Sequence, residues 1–212
     1  MTLTRATIEQ KQQCMPMSEL PATFRDAINV VRVLNIQYLW IDALCIIQDD
    51  DFDKAIEMAR MDQIYQDAFV TIAAANSFNC SASFLEFFLP NSAPDVYRFA
   101  KMNFPCEDGK LGSISLEPDS GNYEPPSEPI NQRGWALQER LLSPRVLTFG
   151  SQQMYWQCQS GLQCGGGSLR KFDAPKRLGH EFFQCQGAVR TQTDSYQIYD
   201  NWLDIMKDYS KR

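Results

Sequence analysis

The chain has 212 residues, 44% hydrophobic and 22% charged, which is long enough for a real core and too apolar for global disorder. Its net charge of −6 excludes a general phosphate-backbone binder, which needs a basic surface, so no nucleic-acid partner is expected. No apolar run approaches the ~20 residues of a membrane span, and Met1-Thr2-Leu3-Thr4-Arg5 opens no apolar leader, so neither a span nor a signal peptide is expected.

The first predicted element is a helix over residues 22–34. Phe24, Ala27, Ile28, Val31 and Leu34 recur at helical spacing and form one apolar stripe. Pro21 suits a helix start, and Thr23 with Asp26 three residues on resembles a capping box. Residues 38–47, from Tyr38 through Trp40 and Asp42 to Ile47, are almost continuously apolar, β-branched or aromatic. They predict a strand buried on both faces. A second helix is predicted over 53–67, with Met58, Met61, Tyr65 and Ala68 on one side. A second buried strand follows over 70–75. Helix, strand, helix, strand in this rhythm implies crossover connections.

Seven of the eleven prolines fall between Pro90 and Pro129, and no glycine precedes Gly109. Residues 97–104 and 114–116 read as weaker strands, and 117–129 as an exposed loop. A short helix over 135–142 is stopped by Pro144. Residues 146–149 and 154–158 predict a hairpin around Gly150-Ser151-Gln152. A final helix is predicted over 194–209. The expected class is α/β: a mostly parallel sheet flanked by helices, with an added β-hairpin and a C-terminal helix.

Seven cysteines are widely spread, with no CxxC, and the one histidine is His180. That pattern supports no zinc site. Reduced thiols in a cytoplasmic protein are expected, with no metal.

Two long blocks carry a family resemblance. Leu20-Pro21-Ala22-Thr23-Phe24-Arg25-Asp26-Ala27-Ile28 precedes the block Tyr38-Leu39-Trp40-Ile41-Asp42-Ala43-Leu44-Cys45-Ile46-Ile47-Gln48-Asp49-Asp50. Met61, Ile64-Tyr65 and Ala68 follow, and later Arg133-Gly134-Trp135-Ala136-Leu137-Gln138-Glu139-Arg140-Leu141-Leu142-Ser143-Pro144-Arg145. Together these resemble the heterokaryon incompatibility (HET) domain of filamentous fungi over about residues 3–160. The resemblance implies a cytoplasmic module that triggers growth arrest or cell death when incompatible cells fuse. It also implies a partner: an incompatibility protein, or a second copy by self-association. The family's opening strand block, Leu-Ser-Tyr-Cys-Trp-Gly-like, has no counterpart before Leu20. A domain over 1–160 lacking that block is therefore expected, with an extension over 161–212 and an exposed sheet edge.

The family is thought to be a remote relative of the TIR domain, some members of which cleave NAD with one glutamate. That glutamate lies four residues after a tryptophan at a helix start, the spacing of Trp135 and Glu139 here. The resemblance implies NAD as a substrate, with no resident cofactor. Glu139 would stabilise the ribosyl cation or position the attacking group beside Trp135. The competing reading is a surface glutamate paired with Arg133 or another basic residue. Asp42 lines a nucleotide site, or is a structural carboxylate bonded to an arginine or to loop amides. Arg133 and Arg140 bind dinucleotide phosphates, or Arg140 is instead a solvated face charge or a partner for the local acids. Asp49, Asp50, Asp51 and Asp53 lack the glycine and distal glutamate of an EF-hand and read better as helix-start carboxylates. Three functions stay open: a NAD-cleaving death effector, a non-catalytic interaction module, and an inactive truncated family member.

Overall fold

A computed structural model describes residues 1–88, 100–106, 109–116, 128–151, 153–158 and 161–164, with Leu203, Met206, Lys207 and Ser210. Of the predicted helix over 194–209 only Leu203, Met206 and Lys207 are described, each in helical conformation, and residues 117–127 of the predicted loop lie outside the described residues. The chain divides into two compact units, Met1–Phe84 with Ser127–Arg212, and Leu85–Pro126. The described part of the smaller unit is an antiparallel hairpin, β2 (Ala100–Pro105) with β3 (Leu111–Leu116), preceded by a 3-10 turn at Glu86–Phe88. Its turn passes through Gly109 at φ +78, a left-handed conformation that glycine adopts without steric cost.

The larger unit begins with α1 (Ile8–Gln13) and α2 (Ala22–Val33). Of the stripe predicted for α2, Ala27 and Val31 are buried and Phe24 and Ile28 half-buried, while Leu34 lies past the helix end and is exposed; Val30, outside the predicted stripe, is buried as well. The capping box is not. No side chain caps α2; instead the Thr23 hydroxyl donates to Ala82 O at 2.8 Å. Asp26 Oδ2 accepts from Ser83 Oγ at 2.7 Å and from Phe84 N at 2.8 Å. Both polar residues serve tertiary contacts, because the chain returns across the head of α2. Asp26→Ala leaves those donors without this acceptor and is expected to cost about 1–3 kcal/mol, read as a lower denaturation midpoint at unchanged m. At its other end α2 closes with Asn35 at φ 55. Asn35 N donates to Arg32 O at 3.1 Å and Ile36 N to Val31 O at 2.8 Å, the paired bonds of a Schellman stop.

The predicted buried strand over 38–47 is not formed. Ile41 is extended, but Asp42–Cys45 is a helical turn, α3, and residues 38–41 join no ladder. Asp42 is exposed and its Oδ1 accepts from Ala43 N at 2.7 Å. A carboxylate at that place favours a helix start over a strand interior. The turn is held by Leu3, whose N–H donates to Ala43 O and whose carbonyl accepts from Gln48 N, both at 2.8 Å.

The predicted helix over 53–67 is two helices, α4 (Asp51–Ala59) and α5 (Met61–Asp67), broken at Arg60. The acidic run serves the helix start. Asp50 caps α4 through Phe52 N and Asp53 N, Asp53 accepts from Ile47 N at 2.7 Å, and Asp49 accepts from Arg5 N at 2.8 Å. The Arg5 guanidinium, 2.8 Å away, holds the Asp50 carboxyl below its ordinary value, helped by the capped amides. A depressed folded pKa contributes stability above the unfolded value, and that contribution is lost as pH falls through the folded one. Asp50→Asn keeps a capping oxygen and removes the charge. It is expected to melt below the parent at neutral pH, with the gap closing in the acid range of a pH series of melts.

Among the described residues the sheet of this unit has four strands in the order β1 (Thr71–Ala73), β4 (Arg145–Phe149), β5 (Met154–Cys158), β6 (Gly161–Cys164). Only β1 with β4 is parallel; β4 with β5 and β5 with β6 are antiparallel. The expected mostly parallel sheet is therefore a small mixed one. The links from β4 to β5 and from β5 to β6 are a few residues long, too short for a crossover; only the long connection from β1 through α6 (Gly134–Leu142) permits a parallel pair. Phe84, Val146 and Phe149 sit at the centre of the core, with the Phe84 and Phe149 rings 4.7 Å apart.

Candidate functional site

A cleft of about 720 Å³ opens in the larger unit, within the size range of small-molecule sites. Its walls come from α2, residues 36–42, α5, β1 and α6, and they are mostly apolar. Trp40, Asp42, Tyr65, Arg133 and Glu139 line it.

Each of these side chains is placed by a local device. Glu139 lies in the last turns of α6, where its own carbonyl accepts from Ser143 Oγ at 2.7 Å and Ser143 N at 3.2 Å. Ser143 is buried and its hydroxyl also lies 2.7 Å from Thr71 Oγ1, so the end of α6 is tied to β1. Arg133 stands in extended backbone at the head of α6, following a 3-10 turn at Pro129–Gln132. Tyr65 comes from α5, which packs on α6. Its ring meets Trp40 edge-on, centroids 6.0 Å apart at 74°.

Burial raises the Glu139 carboxyl above its ordinary value and the Asp42 charge adds to this. Arg133 and the polar tip of Tyr65 oppose it without cancelling it. Among the described residues no ion pair joins Arg133 to Glu139, so the arginine acts through its field. Burial first, then the charges of Glu139 and Asp42, push the Tyr65 phenol far above its usual value, so it stays protonated. The result is a half-buried carboxylate in an apolar cleft, with a cation and an aromatic surface nearby.

The five residues predicted from sequence divide. Glu139, Arg133 and Asp42 share the cleft, Asp42 from about ninety residues earlier in the chain. Trp135 and Arg140 do not line it. Trp135 is 70% exposed. Arg140 is half-buried. Sequence reasoning missed Trp40 and Tyr65 as cleft residues. Trp40 was assigned to a core strand and Tyr65 to the apolar face of a helix. The available signal was the phenol itself, a polar tip that needs a partner when half-buried.

Cys14, Cys45, Cys80 and Cys106 are free thiols. No described helix is long and apolar enough to cross a membrane. No curated protein and no solved structure matches the chain. A family model described as heterokaryon incompatibility protein (HET) matches residues 2–139, which takes in α2, the 38–50 block, α5 and α6 through Glu139. That span is well over half of the chain and holds every cleft residue named above, and by it the chain belongs to the heterokaryon incompatibility (HET) family.

Proposed function

We propose that this HET-family protein is a cytoplasmic effector of fungal non-self recognition and programmed cell death, and that its chemical act is NAD hydrolysis in the cleft. The acting domain is residues 1–160, with 161–212 as an extension. One observation carries the reading: Glu139, a half-buried carboxylate, stands on an aromatic-walled cleft with Arg133 and Asp42.

In the proposed step the glycosidic bond from ribose C1′ to the nicotinamide nitrogen breaks. Its electron pair goes to the ring nitrogen and cancels the ring's positive charge. The Glu139 carboxylate offsets the positive charge that develops at C1′. Water bonds to C1′, and its proton passes to Glu139 and on to solvent. Trp40 offers a surface for a ring of the substrate, and the Arg133 guanidinium attracts the pyrophosphate. The products are nicotinamide and ADP-ribose.

The experiment is a time course of NAD loss with purified full chain at high concentration, with nicotinamide and ADP-ribose quantified. Stoichiometric appearance of both, absent in Glu139→Gln, supports the reading. No loss from a chain that still melts cooperatively would sink it.

A second reading, an interaction module acting through a partner or a second copy, is favoured by the exposure of large apolar side chains. Val33 is 86%, Tyr38 82% and Phe69 64% exposed. It calls for concentration-dependent sedimentation that Glu139→Gln leaves unchanged.

A further inference from the structure

We propose that the cleft accepts a β-strand: an extended apolar segment of a partner polypeptide, about five residues long with a lysine or arginine at one end, inserts between residues 37–40 and the edge of β1 and pairs with both. The proposal goes beyond the reading of the cleft as a NAD site and does not rest on it.

The lining shows what kind of space this is. Every residue from Ile36 to Ile41 touches the cleft, and so does every residue from Phe69 to Ile72. The run 36–41 has neither helix nor turn, and Ile41 is extended. Successive side chains of an extended chain point to opposite faces. A space that meets all of them in a row therefore runs along the backbone edge and not across one face. The backbone there is open. Among the described residues no N–H or C=O of residues 37–40 enters a hydrogen bond, and β1 has a ladder to β4 alone. A further strand satisfies unpaired donors and acceptors along two such edges.

Apolarity and charge select the occupant. Thr71 faces α6 through its bond to Ser143, and Ile72 faces the other way. An inserted strand continues those two faces, and a strand covered on both is apolar throughout. Phe24, Ala27 and Val31 of α2 and Ile64 of α5 supply apolar wall for it. Asp42, Asp67 and Glu139 line the cleft against one cation, Arg133, so a basic residue on the segment complements it. A second copy pairing through its own β1 would bring the same three carboxylates to one interface twice, which like charge disfavours.

The test uses the full chain, isotope-labelled for NMR, and the capped synthetic peptide Val-Ile-Val-Ile-Val-Lys. Two control peptides carry N-methyl groups at the odd or at the even residues. Each keeps the apolar side chains and removes the N–H donors from one edge. A third control has glutamate in place of the lysine. Saturation with the parent peptide is expected to slow hydrogen exchange about tenfold or more at residues 37–40 and at the β1 amides not bonded to β4. By calorimetry each N-methylated peptide is expected to bind about tenfold more weakly or worse, and the glutamate peptide several-fold more weakly. Undiminished binding of either N-methylated peptide overturns the two-sided pairing. Exchange slowed only elsewhere, or no binding to a chain that melts cooperatively, overturns the site. A chain that sediments as a dimer with these amides already protected holds a second copy there, which overturns the proposed occupant. None of these readouts involves NAD, so strand binding and NAD turnover stand or fail separately.

Discussion

Glu139→Gln is expected to lower NAD turnover on the order of 10²–10³-fold and at the same time to raise the melting temperature at neutral pH. The first effect follows from charge. Glutamine matches glutamate in size and shape, so the cleft keeps its form. What is lost is the negative charge facing the developing cation at C1′. The second effect follows from linkage. The folded Glu139 carboxyl is raised above its ordinary value of 4.5, chiefly by burial. A group raised in the folded state contributes stability below its unfolded value and loses it as pH rises through the folded one. At neutral pH the ionised side chain therefore costs stability, and glutamine removes that cost. The gain should shrink in a series of melts taken down into the acid range and vanish where both states are protonated. A solvated surface glutamate would show neither effect. Loss of activity with a gain of stability is the expected mark of a residue kept for chemistry. Unchanged NAD loss together with a lower melt would instead assign Glu139 a structural role.

Phe84→Ala is expected to be the most destabilising single truncation among the described residues, at about 3–5 kcal/mol. Phe84 is fully buried and packs on Phe149 with centroids 4.7 Å apart. Its backbone is clamped on both sides, with its N–H donating to Asp26 and its carbonyl accepting from Asn76 Nδ2 at 3.3 Å. Such a clamp prevents the chain from collapsing into the space the ring leaves. Phe84 also borders the cleft, so the void would join it. For a chain of this size the melt should fall by roughly 10 °C or more. Phe78, six positions earlier, is 85% exposed, and Phe78→Ala is expected to change stability by less than about 0.5 kcal/mol. Parallel denaturant melts of the two variants check both statements; similar midpoints would contradict them.

Phe78 and Phe84 also show where sequence reading stops. Both lie in a polar, turn-rich stretch with no periodicity, and nothing local distinguishes them. Where a pattern repeats, the reading succeeds. The 3.6-residue stripe of α2, the run of α6 up to Pro144 and the β4–β5 hairpin are all found where predicted. Each depends on contacts between residues a few positions apart. Residues 38–47 show the opposite. Their composition suits a buried strand, but a strand needs a ladder partner, and partners come from elsewhere in the chain. Here the segment lies along the cleft, and Asp42 starts a helical turn instead. The break between α4 and α5 at Arg60 was equally invisible, since the apolar face continues across it.

The family blocks pointed to Glu139, Arg133 and Asp42, and the fold brings the three to one cleft. Spacing alone selected Trp135 as the aromatic neighbour, and the fold supplies Trp40 and Tyr65. By itself the sequence determined the acidic α/β character, the helix and hairpin positions set by short-range periodicity, and the family. Only the tertiary structure decided which aromatic rings face Glu139, that one sheet mixes a single parallel pair with two antiparallel ones, and that the acid is half-buried. Burial and electrostatic shifts arise between groups distant in sequence, and no local pattern of residues carries them.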